Sequence, residues 1–311
     1  MDIRARLRKE PGLSLYAALV AVQVFFGVHY LAAKVVLREI PPPAWATIRV
    51  AASAAILLAW AAWTGKLPRG RREIGELALY AVFGVVINQI CFIEGLSRTT
   101  ATHSAILNTM IPVGTLAFAI VLGREAFTAA KGWSLALAFT GVMLVVRPDR
   151  ASFSSQTLVG DLLTLVNGLS YALFLVISKR ILQRVDAVGA TALLLLFGSA
   201  GIGLYGWRDL AALDFASVSP TAWWTGAFIV LLPTVAAYFL IYWALARAES
   251  SMVALWVYLQ PVIAGVLSAV FLGERVTTTT LVGAALIFAA VAFATRRSAQ
   301  GQPAEQLDPA R

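Results

Sequence analysis

The amino-acid sequence predicts an all-α membrane protein with ten transmembrane helices, arranged as two inverted five-helix repeats. The 311 residues are 59% hydrophobic and only 13% charged, whereas soluble domains are close to half apolar and a quarter charged. The apolar residues fall into ten runs of about membrane-spanning length, near 20 residues each. The stretch 92–146 also recurs at 241–294, which indicates a duplicated unit.

The ten runs define the predicted spans. They are Leu13–Val36, Ala44–Trp63, Leu77–Leu96, Ala101–Leu122, Ala129–Val146, Leu158–Ile177, Ala187–Leu204, Thr221–Ala246, Ser251–Phe271 and Thr277–Ala294. The repeats correspond to residues 1–148 and 149–296. Residues 297–311 are polar with two prolines, so we expect a disordered cytoplasmic tail.

The distribution of basic residues predicts the orientation. Seventeen Lys and Arg residues fall on the side of the N-terminus and six on the other, and Lys34 and Arg49 inside spans complete the 25. Both termini are therefore expected in the cytoplasm, and an odd number of spans per half inverts the second repeat. Topology accounts for the net charge of +9, so no nucleic-acid partner is expected. The excess of Arg over Lys and the abundant Ala suggest a bacterial inner membrane protein.

Two groups of motifs stand out, and the first occurs in the same order in both halves. The first contains Arg98, Ala101, Pro112, Val113, Gly123 and Glu125, and again Arg247, Pro261, Val262, Gly273 and Glu274. The second comprises Phe26, Gly27, Tyr30 and Lys34 in the first span. Over residues 14–296 these motifs resemble the EamA-type domain of the drug/metabolite transporter superfamily, with Phe26 in place of its tryptophan. The resemblance implies a ten-helix carrier, often an exporter, with a cavity formed by the first four helices of each half.

Polar residues within the spans are the candidate functional groups, because a charge at mid-span costs about 2.5–3.5 kcal/mol to insert. Gln23, Tyr30 and Lys34 share one helix face, which favours a solute cavity, with snorkelling of Lys34 as the alternative. For Arg49, near the start of the second span, we favour a structural role. The predicted substrate-binding residues are Gln23, Tyr30, Lys34, Asn88, His103, Asn108, Tyr171, Tyr242, Trp256, Tyr258 and Gln260.

Glu94 and His29 are the candidates for proton coupling. For Glu94 the alternative is an ion pair with Arg98, one helical turn further on. His29 and His103 are the only histidines, too few for a metal site without nearby acids. Pro112 and Pro261 interrupt the fourth and ninth spans at corresponding positions, as hinges or as static kinks. No metal or cofactor is expected.

The sequence also predicts the class of function. It lacks the GxxxxGK[ST], HExxH and GxSxG motifs of ATP-driven pumps, metalloproteases and serine hydrolases, so no enzymatic activity is expected. We expect a secondary active exporter of small organic metabolites, either amino acids or amphipathic compounds, that works by alternating access. A passive channel or a membrane-embedded lipid-modifying enzyme is the alternative. The expected partners are the solute and the lipid bilayer. The fifth and tenth helices are expected either to brace the scaffold or to contact a second copy of the chain.

Overall fold

The computed structural model describes residues 12–99, 101–124, 128–146 and 155–272, and the isolated positions 278, 281, 282, 285, 286 and 289. Every regular element within these ranges is helical. Eight of the described helices are long and apolar enough to cross a membrane. The protein is therefore an all-helical, multi-pass membrane protein, as the sequence predicts.

Nine helical segments follow the first nine predicted spans. We number them α1 (Leu13–Val36), α2 (Pro42–Trp63), α3 (Arg71–Arg98), α4 (Ala101–Leu107 and Met110–Val121), α5 (Ala129–Val146), α6 (Ser155–Ile177), α7 (Ala187–Ala211), α8 (Pro220–Leu245) and α9 (Ser250–Leu255, Trp256–Tyr258 and Leu259–Leu272). The predicted tenth span, Thr277–Ala294, lies mostly outside the described residues, and so does the predicted tail.

Polar residues at the helix ends explain why several helices are longer than the apolar runs. α3 begins at Arg71 instead of Leu77, because its first turns contain Glu73 and an Arg72–Glu76 ion pair. Asp186 caps α7 through a hydrogen bond from the Val188 amide, and Ser219 caps α8 before Pro220. Such caps and a proline in the first turn favour helix initiation.

The burial pattern is that of a protein surrounded by lipid. Large apolar side chains such as Trp63, Leu204 and Trp224 are exposed on the outside of the bundle. Polar side chains such as Gln23 and Arg49 are buried between the helices. Polar groups inside a bilayer must find partners within the protein, so this arrangement is the expected one.

Helices from the two halves pack against each other throughout the bundle. α2 and α7 share the most extensive interface, α3 packs on α6, and α8 packs on α1. α4 contacts both α6 and α9, and α9 contacts α1. At the α1–α9 crossing, a Cβ on Gly27 would lie 2.6 Å from Ile263 Cγ2, so only glycine permits this approach.

Two polar contacts join loops from different halves at opposite ends of the bundle. At the end where α1 terminates, the Glu39 carboxylate accepts hydrogen bonds from the Ser219 amide and hydroxyl at 2.6 and 2.7 Å. These bonds hold the pKa of Glu39 below its usual range. At the other end Lys66 forms an ion pair with Asp186 at 3.5 Å. We call these the Glu39–Ser219 latch and the Lys66–Asp186 latch.

The helix backbone is irregular at corresponding positions of the two halves. Val82–Ile87 in α3 and Val230–Ala236 in α8 form π-helical turns, and the second contains Pro233. Pro233 has no amide hydrogen, and the Thr234 hydroxyl donates to the Ile229 carbonyl at 2.9 Å. In α3 the Phe83 carbonyl accepts from Ser170 of α6 at 2.8 Å. Side-chain hydroxyls thus satisfy carbonyl groups beside the irregular turns.

We predict that Thr234→Val destabilises the protein by about 0.5–2 kcal/mol, because the Ile229 carbonyl loses a buried donor. In a Pro233→Ala background the same substitution should cost less, because the alanine restores a backbone donor. Unfolding titrations with SDS in mixed micelles measure all four proteins. Equal costs in the two backgrounds would contradict this account of the π-helical turn.

Candidate functional site

A cavity of about 60 Å³ lies in the middle of the bundle, between helices from both halves. Its polar lining residues are His29, Tyr30, Arg49, Asn88, Gln89, Asn108, Asn167, Tyr171, Tyr238 and Gln260. Its apolar lining residues are Phe26, Phe92, Ile111, Pro233, Ile241 and Val257. Most of these residues come from the middle turns of their helices, so the cavity lies at membrane depth.

One side of the cavity is a chain of hydrogen bonds through α9, α1 and α4. Gln260 donates to Gln23 Oε1 at 2.7 Å and accepts from the Tyr30 hydroxyl at 3.0 Å. Asn108 donates to the Tyr30 hydroxyl at 2.9 Å. Tyr30 therefore joins three helices through a single hydroxyl group. Among the described residues, the Asn108 side-chain oxygen has no partner.

The other side of the cavity is organised around Arg49 of α2. Its guanidinium contacts His29 Nε2 at 3.1 Å and donates to Gln89 Oε1. Gln89 in turn donates to Asn88 Oδ1 and to the Tyr238 hydroxyl. A ring nitrogen that faces a guanidinium acts as the acceptor, so His29 is neutral in this arrangement.

Gln89 and Tyr238 are corresponding residues of the duplicated sequence. They lie 149 residues apart, which is also the separation of Pro112 from Pro261. A direct contact between corresponding residues indicates the place where the two copies meet. The two asparagines beside them reinforce this place, because Asn167 donates to the Asn88 carbonyl at 2.9 Å and Asn88 donates to the Asn167 carbonyl at 3.4 Å.

Aromatic rings surround these polar groups. Phe92 lies 5.3 Å from the His29 ring and 5.6 Å from the Tyr30 ring. Towards the end of the bundle that contains the Lys66–Asp186 latch, Tyr238 stacks on Tyr242 at 5.7 Å, and Tyr242 contacts Phe174. These rings form a buried aromatic cluster beside the cavity. The site offers polarisable faces for an apolar group as well as hydrogen-bonding groups.

The structure brings several predicted substrate-binding residues together and leaves others apart. Tyr30, Asn88, Asn108, Tyr171 and Gln260 line the cavity, together with His29, and Gln23 lies behind Gln260. Tyr242 and Tyr258 are buried, and neither hydroxyl has a partner among the described residues. Trp256 packs against Tyr16, with ring centroids 5.9 Å apart. The side chain of His103 lies outside the described residues.

Lys34 and Glu94 are not among the cavity-lining residues. The Lys34 ammonium donates to the Thr99 carbonyl at 2.6 Å, at the C-terminal end of α3, where a cation is favourable. Glu94 accepts from Arg98 and from the Tyr205 hydroxyl, at 2.8 Å in the second case. The structure thus contains the Glu94–Arg98 ion pair that the sequence left open as the alternative to proton coupling.

The two prolines predicted as hinges occupy equivalent places. α4 breaks at Asn108 and Thr109 and restarts at Met110, so Pro112 is the third residue of the new helix. α9 passes through a 3₁₀ turn and restarts at Leu259, which makes Pro261 the third residue there. A proline in the first turn of a helix requires no amide hydrogen. The interruption therefore precedes each proline.

Some lining residues were assigned no binding role from the sequence. Arg49 was given a structural role because it lies close to the start of its span, yet its side chain is buried and faces the cavity. Gln89, Asn167 and Tyr238 also line the cavity, and the sequence pattern assigned none of them a binding role. Pro233 was missed, although a proline inside an apolar run is the same signal that identified Pro112 and Pro261.

Comparisons with known proteins identify the family. The profile of the EamA-like transporter family matches residues 13–147 and 158–296, one copy in each half. The chain belongs to the EamA-like transporter family. An uncharacterised transporter of Archaeoglobus fulgidus is 27% identical over 285 residues, covering 91% of this chain and 97% of that protein. The uncharacterised transporter YetK of Bacillus subtilis is 22% identical, covering 90% and 86%.

A solved crystal structure has the same fold. It superimposes with a TM-score of 0.73 at 16% identity, covering 93% of this chain and 99% of the other. Because EamA-like proteins are transporters, the residues of the central cavity are the candidates for solute contact in this member. Among the described residues no group of three or more His, Cys, Asp or Glu side chains could hold a metal ion.

We predict that Tyr30→Phe destabilises the protein by about 1–2 kcal/mol, because the substitution removes two buried hydrogen bonds that join three helices. Tyr242→Phe is the matched control, since its buried hydroxyl has no partner among the described residues. It should change the stability by less than about 0.5 kcal/mol. SDS unfolding titrations compare the two variants. Equal losses would show that the Tyr30 hydroxyl does not join the helices.

Proposed function

We propose that this protein is a secondary active transporter that exports small organic metabolites by alternating access. It would reside in the inner membrane of a bacterium, with both termini in the cytoplasm. The observation that carries this proposal is a mid-membrane cavity whose lining comes from both halves of a duplicated chain. Transporters with inverted repeats bind their solutes at such an interface.

The helix contacts support an inverted repeat. In a duplicated chain, α1 corresponds to α6, α2 to α7, and so on. When each helix is replaced by its counterpart in the other half, the following observed contacts become other observed contacts or themselves. α3–α6 becomes α8–α1, α4–α6 becomes α9–α1, α3–α7 becomes α8–α2, and α2–α7 and α4–α9 become themselves. The two latches exchange in the same way, because one joins the α1–α2 and α7–α8 loops and the other joins the α6–α7 and α2–α3 loops.

Alternating access gives the latches and the cavity their roles. One latch joins the loops at each end of the bundle. The cavity of about 60 Å³ between them is much smaller than ordinary ligand pockets, which measure about 300–1,000 Å³. An organic solute therefore requires the helices to move apart. We infer that α1–α4 rock against α6–α9, with the interruptions before Pro112 and Pro261 as flexible points.

The same observations argue against the two alternatives. A passive channel needs a continuous polar path, whereas the side of the cavity towards the Lys66–Asp186 latch is packed with the buried rings of Tyr242 and Phe174. A lipid-modifying enzyme needs paired catalytic groups, but no carboxylate is among the residues that line this cavity. α5 packs against α4 at the edge of the described bundle. It would brace the scaffold or contact a second copy, together with the tenth helix.

Counterflow in proteoliposomes tests the proposal. Vesicles are preloaded with one unlabelled solute from a panel of neutral amino acids, monocarboxylates and organic cations, and uptake of the same labelled solute is followed. A carrier should show saturable uptake that is transiently accelerated by the internal solute. Trp63→Leu, a change on the lipid-facing surface, is the control and should retain the flux.

Uptake that neither saturates nor responds to the internal solute would indicate a channel. No flux for any solute of the panel would contradict the proposed function.

A further inference from the structure

Arg49 is a buried cation without a buried anion. Its side chain is 2% exposed and lines the central cavity. No carboxylate of the described residues lies within ion-pair distance of it. Its contacts are with the neutral groups His29 and Gln89, and its Nε atom has no hydrogen-bond partner within the described part of the chain.

This arrangement is costly unless a ligand completes it. Buried charges in proteins are normally paired, and a single charge at mid-membrane costs about 2.5–3.5 kcal/mol on insertion scales. Neutral acceptors satisfy two donors of the guanidinium but leave its net charge uncompensated. A planar guanidinium forms its strongest bonds with a carboxylate, through two parallel hydrogen bonds.

The surroundings of Arg49 fix its position without neutralising it. Gln89 is held by its own donations to Asn88 and Tyr238, so its oxygen is fixed towards Arg49. The guanidinium is therefore held in place at the cavity wall, as an anion-binding group must be.

We propose that Arg49 binds the carboxylate of the transported solute. This inference rests on the proposed transport function and names the chemical class of its substrate. The solute carries one carboxylate and an apolar body that fits among Phe26, Phe92 and Tyr238. Solutes that carry only a positive charge are excluded, because Arg49 repels them and no lining carboxylate attracts them.

A carboxylate of this kind can belong to a zwitterionic amino acid or to a plain monocarboxylate. The side-chain oxygens of Asn108 and Asn167 both belong to cavity-lining residues and have no partner among the residues that the structure describes. They could accept from an ammonium group. The experiment separates the two sources by including both kinds of solute.

The test compares carboxylates with their primary amides, which have nearly the same shape but lack the negative charge. The labelled probes are acetate, 3-phenylpropionate, L-alanine, L-leucine and L-phenylalanine, each with its amide, and tetraethylammonium is added as an organic cation. Counterflow is measured in proteoliposomes, and thermal stabilisation by the same compounds is measured in detergent. We expect one or more carboxylates to be transported and their amides to be at least tenfold poorer.

Substitutions at and beside Arg49 test whether this residue causes the preference for carboxylates over amides. Arg49→Gln should raise the half-saturation concentration for the carboxylate by about 10–100-fold, as expected for loss of a hydrogen-bonded charge. Arg49→Lys should retain part of the affinity. Gln89→Glu supplies an internal carboxylate next to Arg49, so in folded protein it should compete with the solute and weaken its binding.

Two outcomes would overturn the inference while leaving the transport function intact. One is transport of amides or tetraethylammonium as readily as of carboxylates. The other is an unchanged preference for carboxylates in folded Arg49→Gln or Gln89→Glu protein. No flux for any of these probes would contradict the transport function itself, and the inference would fall with it.

Discussion

Polar groups inside a bilayer have no water to bond with, so each must find its partner within the protein. Most of this molecule's central architecture follows from that constraint. Gln89 meets it by joining Arg49 to Tyr238, its counterpart in the other half of the chain. Tyr30 meets it by joining Asn108 to Gln260. These bonds define a polar centre within an apolar bundle, and this centre lies where the two copies of the repeat meet.

The irregular backbone belongs to the same centre. The π-helical turns in α3 and α8 and the interruptions in α4 and α9 all lie close to the cavity-lining residues. In regular helices every carbonyl group would accept a hydrogen bond from a backbone amide of the same helix, and the bundle would be rigid. Here Ser170 and Thr234 satisfy carbonyls beside the two π-helical turns. Bonds between a side chain and a backbone can exchange more easily than a complete helical ladder, which suits helices that must move.

Much of the fold could be predicted from the sequence, because the apolar runs and the duplication are strong signals. The nine described helices follow the first nine predicted spans, and the polar residues singled out in α1, α3, α4 and α9 largely meet in one cavity. The role of Arg49 could not be predicted, because closeness to a span end indicates an interfacial residue equally well. Lys34 and Glu94 looked similar in the sequence, but their neighbours Thr99 and Arg98 hold them away from the cavity. Contacts of this kind depend on helix rotation, which a linear pattern does not determine.

The central claim is that the two halves open the cavity to one side at a time. The most direct measurement introduces cysteine pairs at Glu39 and Ser219 and at Lys66 and Asp186, in a Cys91→Ser background, and joins each pair with a short bifunctional thiol reagent. Counterflow should stop when either latch is cross-linked and should return when a cleavable reagent is removed, while the single-cysteine variants remain active. Full counterflow with both latches cross-linked would contradict the account, because no part of the solute path would then depend on opening at the ends.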